Sequence, residues 1–449
     1  MHRSPTRVDL THGSLAAGLW HLALPTLVTS VLRDLFNIVD MIFVGRLGPE
    51  AIAAVSIGGV LMGLIRMVGM GVSVGTVAMI ARYVGQKKIP EAQRVLGQSI
   101  TLNIIGAAVI AVLGGLFAEP MVRALGAAEE VVAPAAAYLR IMCLGSITMF
   151  LSIGLAAGLR GFGDAVTPMW TLGIGSLINI GLDPLLIFGI GPFPRLEVAG
   201  SALATVIARG IGSAILLYTL LRSKRGIRAT GLGFTGGGYM RRIIRIGSFS
   251  ALRSLAMNAS RLVLLRIVAF YGTFAVAAFG IGMRLRLFVL ILGFGLGQAT
   301  SVLVGQNLGA GKPERAVRGA WLSVLFFGAF VFLVSCLFIA VPRVVIGIFN
   351  QNPAVLEHGA MFLYFFVPSL FLLDLSVILG RAIDGAGDTR ATMIISAIAL
   401  LCIGIPLALI FSRLWGINGV WAALIGSNAI QGLGVTIWFR MGRWKKKKV

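Results

Sequence analysis

Arg33, Asp34, Asn37 and Asp40 interrupt an apolar stretch, Leu19 to Val44, that is long enough to cross a bilayer as a helix. Arg33, Asn37 and Asp40 stand at i, i+4 and i+7 and therefore share one helical face, with Asp34 charged beside them. A charge inside a spanning helix is costly, so it normally faces a protein interior or a wet cavity and has a use there. A carboxylate in such a place can bind and release a proton, or hold Na⁺ with amide and hydroxyl oxygens. Asp40 is the candidate for that chemistry. The same spacing also fits a structural ion pair from Arg33 to Asp40 or to another acid. A second stripe, Ser176, Asn179 and Asp183, has spacing i, i+3 and i+7 in the apolar run 165–190. Further along, Arg253, Arg261, Arg266, Arg284 and Arg286 lie within or near apolar runs, and Asp374 lies inside one. Pairing of Asp374 with an arginine such as Arg284 is the favoured reading, because a lone buried charge is expensive; a second coupling site is the other.

The elements that must position these residues are membrane spans. The chain of 449 residues is 57% hydrophobic and only 12% charged, against about 25% charged in soluble domains. Twelve spans are predicted, at 19–44, 52–80, 96–118, 131–158, 165–190, 199–222, 243–269, 274–303, 317–341, 354–382, 389–412 and 417–440. Residues 223–242, rich in glycine and basic side chains, read as a cytoplasmic linker between an N-terminal lobe, 1–222, and a C-terminal lobe, 243–449. The many glycines fit close helix packing in lipid. The termini and the even-numbered connections hold about 25 Lys and Arg, the odd-numbered ones about five, which places both termini in the cytoplasm. The polar start, Met1 to Gly18, lacks a small-residue cleavage site, so the first span is expected to be an uncleaved anchor.

The second half echoes the first. Gly48-Pro49-Glu50-Ala51-Ile52-Ala53-Ala54 matches Gly272-Thr273-Phe274-Ala275-Val276-Ala277-Ala278, Val84-Gly85-Gln86 matches Val304-Gly305-Gln306, and Leu196-Glu197-Val198-Ala199-Gly200 matches Trp415-Gly416-Ile417-Asn418-Gly419. The expected fold is an all-α polytopic membrane protein, with twelve transmembrane helices in two six-helix lobes related by pseudo-twofold symmetry along the membrane normal. On this alignment Asp40 meets Leu264 and Asp183 meets Ile405, so both acids belong to the N-terminal lobe alone. Pro25 and Pro184 lie beside the two stripes, where each fits a hinge or a static bend. Asp164 and Asp388 read as helix N-caps.

Other classes find no support. The net charge of +23 sits in loops and in the terminal Lys445 to Lys448 run, as a membrane-surface anchor does, so nucleic acid is not an expected partner. Cys143, Cys336 and Cys402 have no metal-ligand spacing and read as small buried hydrophobes. Gly305 to Pro313 is only a near miss of a phosphate loop, no HExxH motif occurs, and neither an enzyme activity nor a cofactor is expected.

These pieces together resemble the multidrug and toxic compound extrusion (MATE) family. The likeness runs from about Leu19 to Arg440 and is carried by Pro25, by Asn37 and Asp40 leading to Phe43-Val44-Gly45-Arg46-Leu47-Gly48, by Leu159-Arg160-Gly161 with Gly163-Asp164, and by Val304-Gly305-Gln306-Asn307-Leu308-Gly309. Acids on spans 1 and 5 make it similar to the DinF-like branch. The resemblance implies a monomeric inner-membrane antiporter that expels amphipathic, often cationic, compounds in exchange for H⁺ or Na⁺. It implies an ion site at Asp40, Asn179, Asp183 and Thr205, with Tyr138 and the hinge Pro25 responding to the bound ion. Arg33 departs from the neutral polar residue expected there and bears on substrate charge. A flippase of a lipid-linked precursor, from the same superfamily, is the alternative, supported by the intramembrane arginines.

Overall fold

The computed structural model describes residues 9–221, 229–233 and 238–447. The first eight residues, Arg222, two parts of the predicted linker (223–228 and 234–237), Lys448 and Val449 lie outside the described residues. No strand occurs among the described residues. The first half comprises α1 (Leu15–Gly45), α2 (Pro49–Gly85), α3 (Ile89–Ala124), α4 (Glu129–Leu144), α5 (Ser146–Gly161), α6 (Val166–Phe188) and α7 (Glu197–Leu221). The second comprises α8 (Tyr239–Ala269), α9 (Thr273–Gly309), α10 (Pro313–Ala340), the short α11 (Pro342–Gly347), α12 (Pro353–Gly385), α13 (Thr389–Ala397), a π-helical stretch (Ile398–Gly404), α14 (Ile405–Trp415) and α15 (Ile417–Met441).

Ten of these helical segments are long and apolar enough to cross a membrane, and α4 with α5, bent by 48°, supplies an eleventh. The twelfth is α8, whose Arg241, Arg242, Arg245, Arg253, Arg261 and Arg266 lower its apolar character. The bend between α4 and α5 falls at Gly145, where any Cβ would collide with Val206 of α7. In the corresponding region of the second half, α12 continues unbroken through Pro368. The π-helical stretch lies just before Pro406, whose missing N–H leaves a backbone carbonyl to be accommodated.

The internal repeat has a physical counterpart. Thr76 on α2 hydrogen-bonds Ser99 on α3 at 2.7 Å, and Thr300 on α9 makes the same 2.7 Å bond to Ser323 on α10. Gly48 and Gly272 precede matching helices with φ of 120° and 92°, a region that side chains with a Cβ avoid. Gly200 on α7 lies against the Leu186 carbonyl of α6, and Gly419 on α15 lies against the Phe411 carbonyl of α14. A methyl group at either glycine would strike that backbone oxygen. Gly419→Ala is therefore expected to force the helix pair apart and cost about 1–3 kcal/mol, seen as a lower melting temperature in detergent. An unchanged melting temperature would contradict the close approach.

The chain divides into two compact units, Leu24–Ser248 (with Met1–Asp9) and Phe249–Val449 joined by Leu10–Ala23. The first helix of each half thus begins in the other half's unit, and Pro25 stands next to the first division. Within the second unit the segment before α1 is held by its carbonyls. Leu10 O accepts from Asn307 Nδ2 at 3.1 Å, Thr11 O from Lys312 Nζ at 2.9 Å, and Gly13 O from Arg315 Nη2 at 2.7 Å. Within the first unit, Gln98 Nε2 donates to Gly231 O and Gly233 O at 2.6 Å each. Part of the region read as linker is therefore clamped to α3, and its last residues, from Tyr239, are already α8. Cys143 is buried as expected, but Cys336 and Cys402 are exposed; all three are free thiols. A small apolar side chain is equally at home against lipid, so burial among helices does not follow from an apolar run.

Candidate functional site

The first unit brings α1, α6 and α7 together around two carboxylates. Ser201 Oγ, at the start of α7, donates to Asp40 Oδ1, near the end of α1, at 2.7 Å. On α6, Asn179 and Asp183 are separated by one turn and are 1% and 0% exposed. With its amide oriented so that both groups are satisfied, Asn179 donates from its nitrogen to Asp183 Oδ2 at 2.8 Å and accepts at its oxygen from the Thr205 backbone N–H of α7 at 3.1 Å. Asp183 Oδ1 has no hydrogen-bond partner although it is buried. Asp40 and Asp183 lie within electrostatic range of each other. The geometry thus offers carboxylate, hydroxyl and amide oxygens in one polar core, with one carboxylate oxygen open.

Tyr138, on α4, packs its buried ring against Gly58 of α2, where a Cβ would collide with it. It lies within electrostatic range of both acids and of Arg66 and Arg209. No arginine makes an ion pair with Asp40 or Asp183 among the described residues. Arg209 lies within electrostatic range of half-buried Asp40, but no cation is bonded to buried Asp183, and a buried carboxylate without a bonded cation needs a mobile one to balance it. The structural reading of an Arg33–Asp40 pair fails on this point.

The other predicted members are placed differently. Asn37 is exposed and takes no part in the network. On a helix its side chain is rotated roughly 60° from that of Asp40, enough to turn it off the edge that meets α7. Ser176 is half-buried one turn from Asn179 and also stays outside the hydrogen bonds. Ser201 was not anticipated, although it stands four residues before Thr205 on the same face of α7. Removing its hydroxyl, Ser201→Ala, is expected to weaken Na⁺ binding at Asp40 roughly tenfold, as loss of a supporting hydrogen bond to a ligand does, and to strengthen proton binding instead, because a donated hydrogen bond favours the charged carboxylate. Ion-dependent protection against thermal unfolding measures this.

In the second unit Asp374 is 3% exposed and its Oδ1 lacks a partner, whereas Arg284 is exposed. The expected pairing of Asp374 with an arginine is therefore not formed among the described residues. The arginine that is paired is Arg253, whose guanidinium reaches both oxygens of Asp384 at 3.3 and 2.7 Å. Thr392 Oγ1 donates to the same carboxylate at 2.7 Å. The two presumed caps also diverge. Asp164 accepts from the Val166 and Thr167 backbone N–H groups at 3.1 and 3.0 Å, as a cap does. Asp388 instead accepts from the Trp438 indole at 3.1 Å and pairs with Lys447 at 2.9 Å. The end of the chain supplies partners that outcompete the backbone there.

Two repeated helical halves, with buried polar clusters inside membrane-crossing helices, define a multi-pass membrane transporter rather than an enzyme. The MatE family profile matches twice, at residues 25–185 and 250–410, and the chain belongs to this family. Both matches begin beside the divisions between the compact units. The chain is 30% identical over 432 residues to the "FAD transporter" of Shewanella oneidensis, covering 94% of each protein. It is 27% identical over 434 residues to the "Probable multidrug resistance protein NorM" of Thermotoga maritima, covering 95% of this chain and 93% of that one. A crystal structure of a MATE transporter in a bent conformation superposes with a TM-score of 0.90 at 24% identity, over 96% of both chains, and shares the fold of twelve helices in two lobes.

Proposed function

We propose that this protein is a secondary antiporter of the cell's inner (plasma) membrane that exports small amphipathic compounds in exchange for H⁺ or Na⁺. The observation that carries this reading is the pair Asp40 and Asp183, held by Ser201, Asn179 and Thr205, with Asp183 Oδ1 open and no ion pair to either acid among the described residues. The acids on α1 and α6 also speak for the DinF-like branch. In the proposed cycle the coupling ion occupies the carboxylates, the two lobes rock in turn, and α1 yields near Pro25. Both termini are taken to be cytoplasmic and the working unit a monomer. The names of the relatives divide between multidrug resistance and FAD transport, and this reading leaves the charge of the solute open.

The test is reconstitution in sealed vesicles. A pH or Na⁺ gradient should drive accumulation of an amphipathic dye, and collapse of that gradient should release it. Lipid-headgroup translocation without dye transport would favour the flippase reading instead.

A further inference from the structure

Three arginines stand one layer away from the carboxylates in the first unit. Arg33 precedes Asp40 by seven residues on α1, and Arg209 follows Ser201 by eight on α7. Each is thus two turns, about 10–12 Å, from the Asp40–Ser201 contact, on the same face as its neighbour. That contact lies near the end of α1 and the start of α7, so both arginines are displaced in the same direction along the unit. Arg66 follows Gly58, the seat of the Tyr138 ring, by eight residues on α2, and so joins the same tier. The three lie within electrostatic range of one another. All are half-buried.

None of the three makes an ion pair or a hydrogen bond among the described residues, although Arg209 lies within electrostatic range of Asp40 and Arg33 of Asp34. The nearest acid in sequence, Asp34, is exposed and one residue round the helix from Arg33. Arg253 of the second unit shows how an intramembrane arginine with a structural task is arranged: doubly bonded to Asp384 and 14% exposed. Three guanidinium groups without a directly bonded acid, gathered inside a spanning unit, repel one another, and their fork geometry matches phosphate and carboxylate oxygens. We propose that Arg33, Arg66 and Arg209 seat a phosphate or carboxylate group of the transported amphiphile, so that the cargo is anionic rather than cationic. This rests on the antiporter reading for transport, though not for binding. Cargo and coupling ion then carry opposite charge and occupy different tiers, so their exchange is enforced by the shape of the unit rather than by competition for one charge.

The test compares two dyes with the same xanthene core, anionic carboxyfluorescein and cationic rhodamine 6G. Binding to the purified full chain is followed by fluorescence anisotropy, and gradient-driven uptake is followed in phosphatidylcholine vesicles. The proposal expects carboxyfluorescein to bind the tighter of the two, and Arg209→Gln to weaken it roughly tenfold, as loss of a charge-assisted contact does. The wild-type comparison needs no variant, and a thermal melt separates an unfolded Arg209→Gln protein from a weakened one. Tighter binding of rhodamine 6G, binding of neither dye, or a folded Arg209→Gln protein with unchanged carboxyfluorescein affinity would overturn it. So would displacement of carboxyfluorescein by phosphatidylglycerol alone and not by phosphate esters, which would assign the seat to a lipid headgroup. Preferred binding of carboxyfluorescein without any gradient-driven uptake supports the charge assignment and counts against the antiporter instead.

Discussion

Asp183→Asn is expected to abolish gradient-driven transport while leaving the protein folded. The substitution keeps the shape of the side chain and still offers an oxygen to Asn179, but it removes the negative charge that a coupling ion must neutralise. Loss of a charged partner of this kind is worth about 3 kcal/mol, or roughly 100-fold in ion affinity. Stability should not fall with it. Asp183 is 0% exposed and one of its oxygens has no partner, so the native carboxylate sits at a cost that the neutral amide relieves. Transport lost with an unchanged or raised melting temperature is the expected pair of results. Loss of both together would make Asp183 a structural residue.

Arg253→Met is expected to have the largest effect on stability. Asp384 is 1% exposed, and without Arg253 only the Thr392 hydroxyl remains bonded to it. Breaking a buried pair from one side leaves an uncompensated charge and costs about 3–5 kcal/mol. Adding Asp384→Asn should recover much of that loss, because the charge left behind is then removed. Thermal melts of the two single variants and the double variant measure the coupling. A double variant no more stable than Arg253→Met would show that the pair is not the source of the loss.

The helices were legible in the sequence because apolar runs of this length have few alternatives, and Pro49, Pro313 and Pro353 mark helix starts openly. The break at Gly145 was not legible. It depends on Val206 of α7, which becomes a neighbour of Gly145 only in the folded unit. The start of α8 was masked by arginines that resemble a loop. The acids were easy to single out for the same reason that makes them expensive: each is a lone charge in an apolar run. Ser201 was hidden because serine is common in spanning helices and nothing in its neighbours announces a bond to α1. The arginines posed the reverse difficulty. Their number was plain, but sequence does not say which one finds an acid, and Arg253 chose Asp384 while Asp374 was left alone.

The account turns on whether ions exchanged at Asp40 and Asp183 drive the solute. The most direct measurement records solute and ion fluxes together in the same reconstituted vesicles, for the wild-type protein and for Asp40→Asn/Asp183→Asn. The account predicts opposite, proportional fluxes of solute and of H⁺ or Na⁺ in the wild type, and the loss of both in the folded double variant. Undiminished, gradient-driven solute accumulation by the double variant would contradict it.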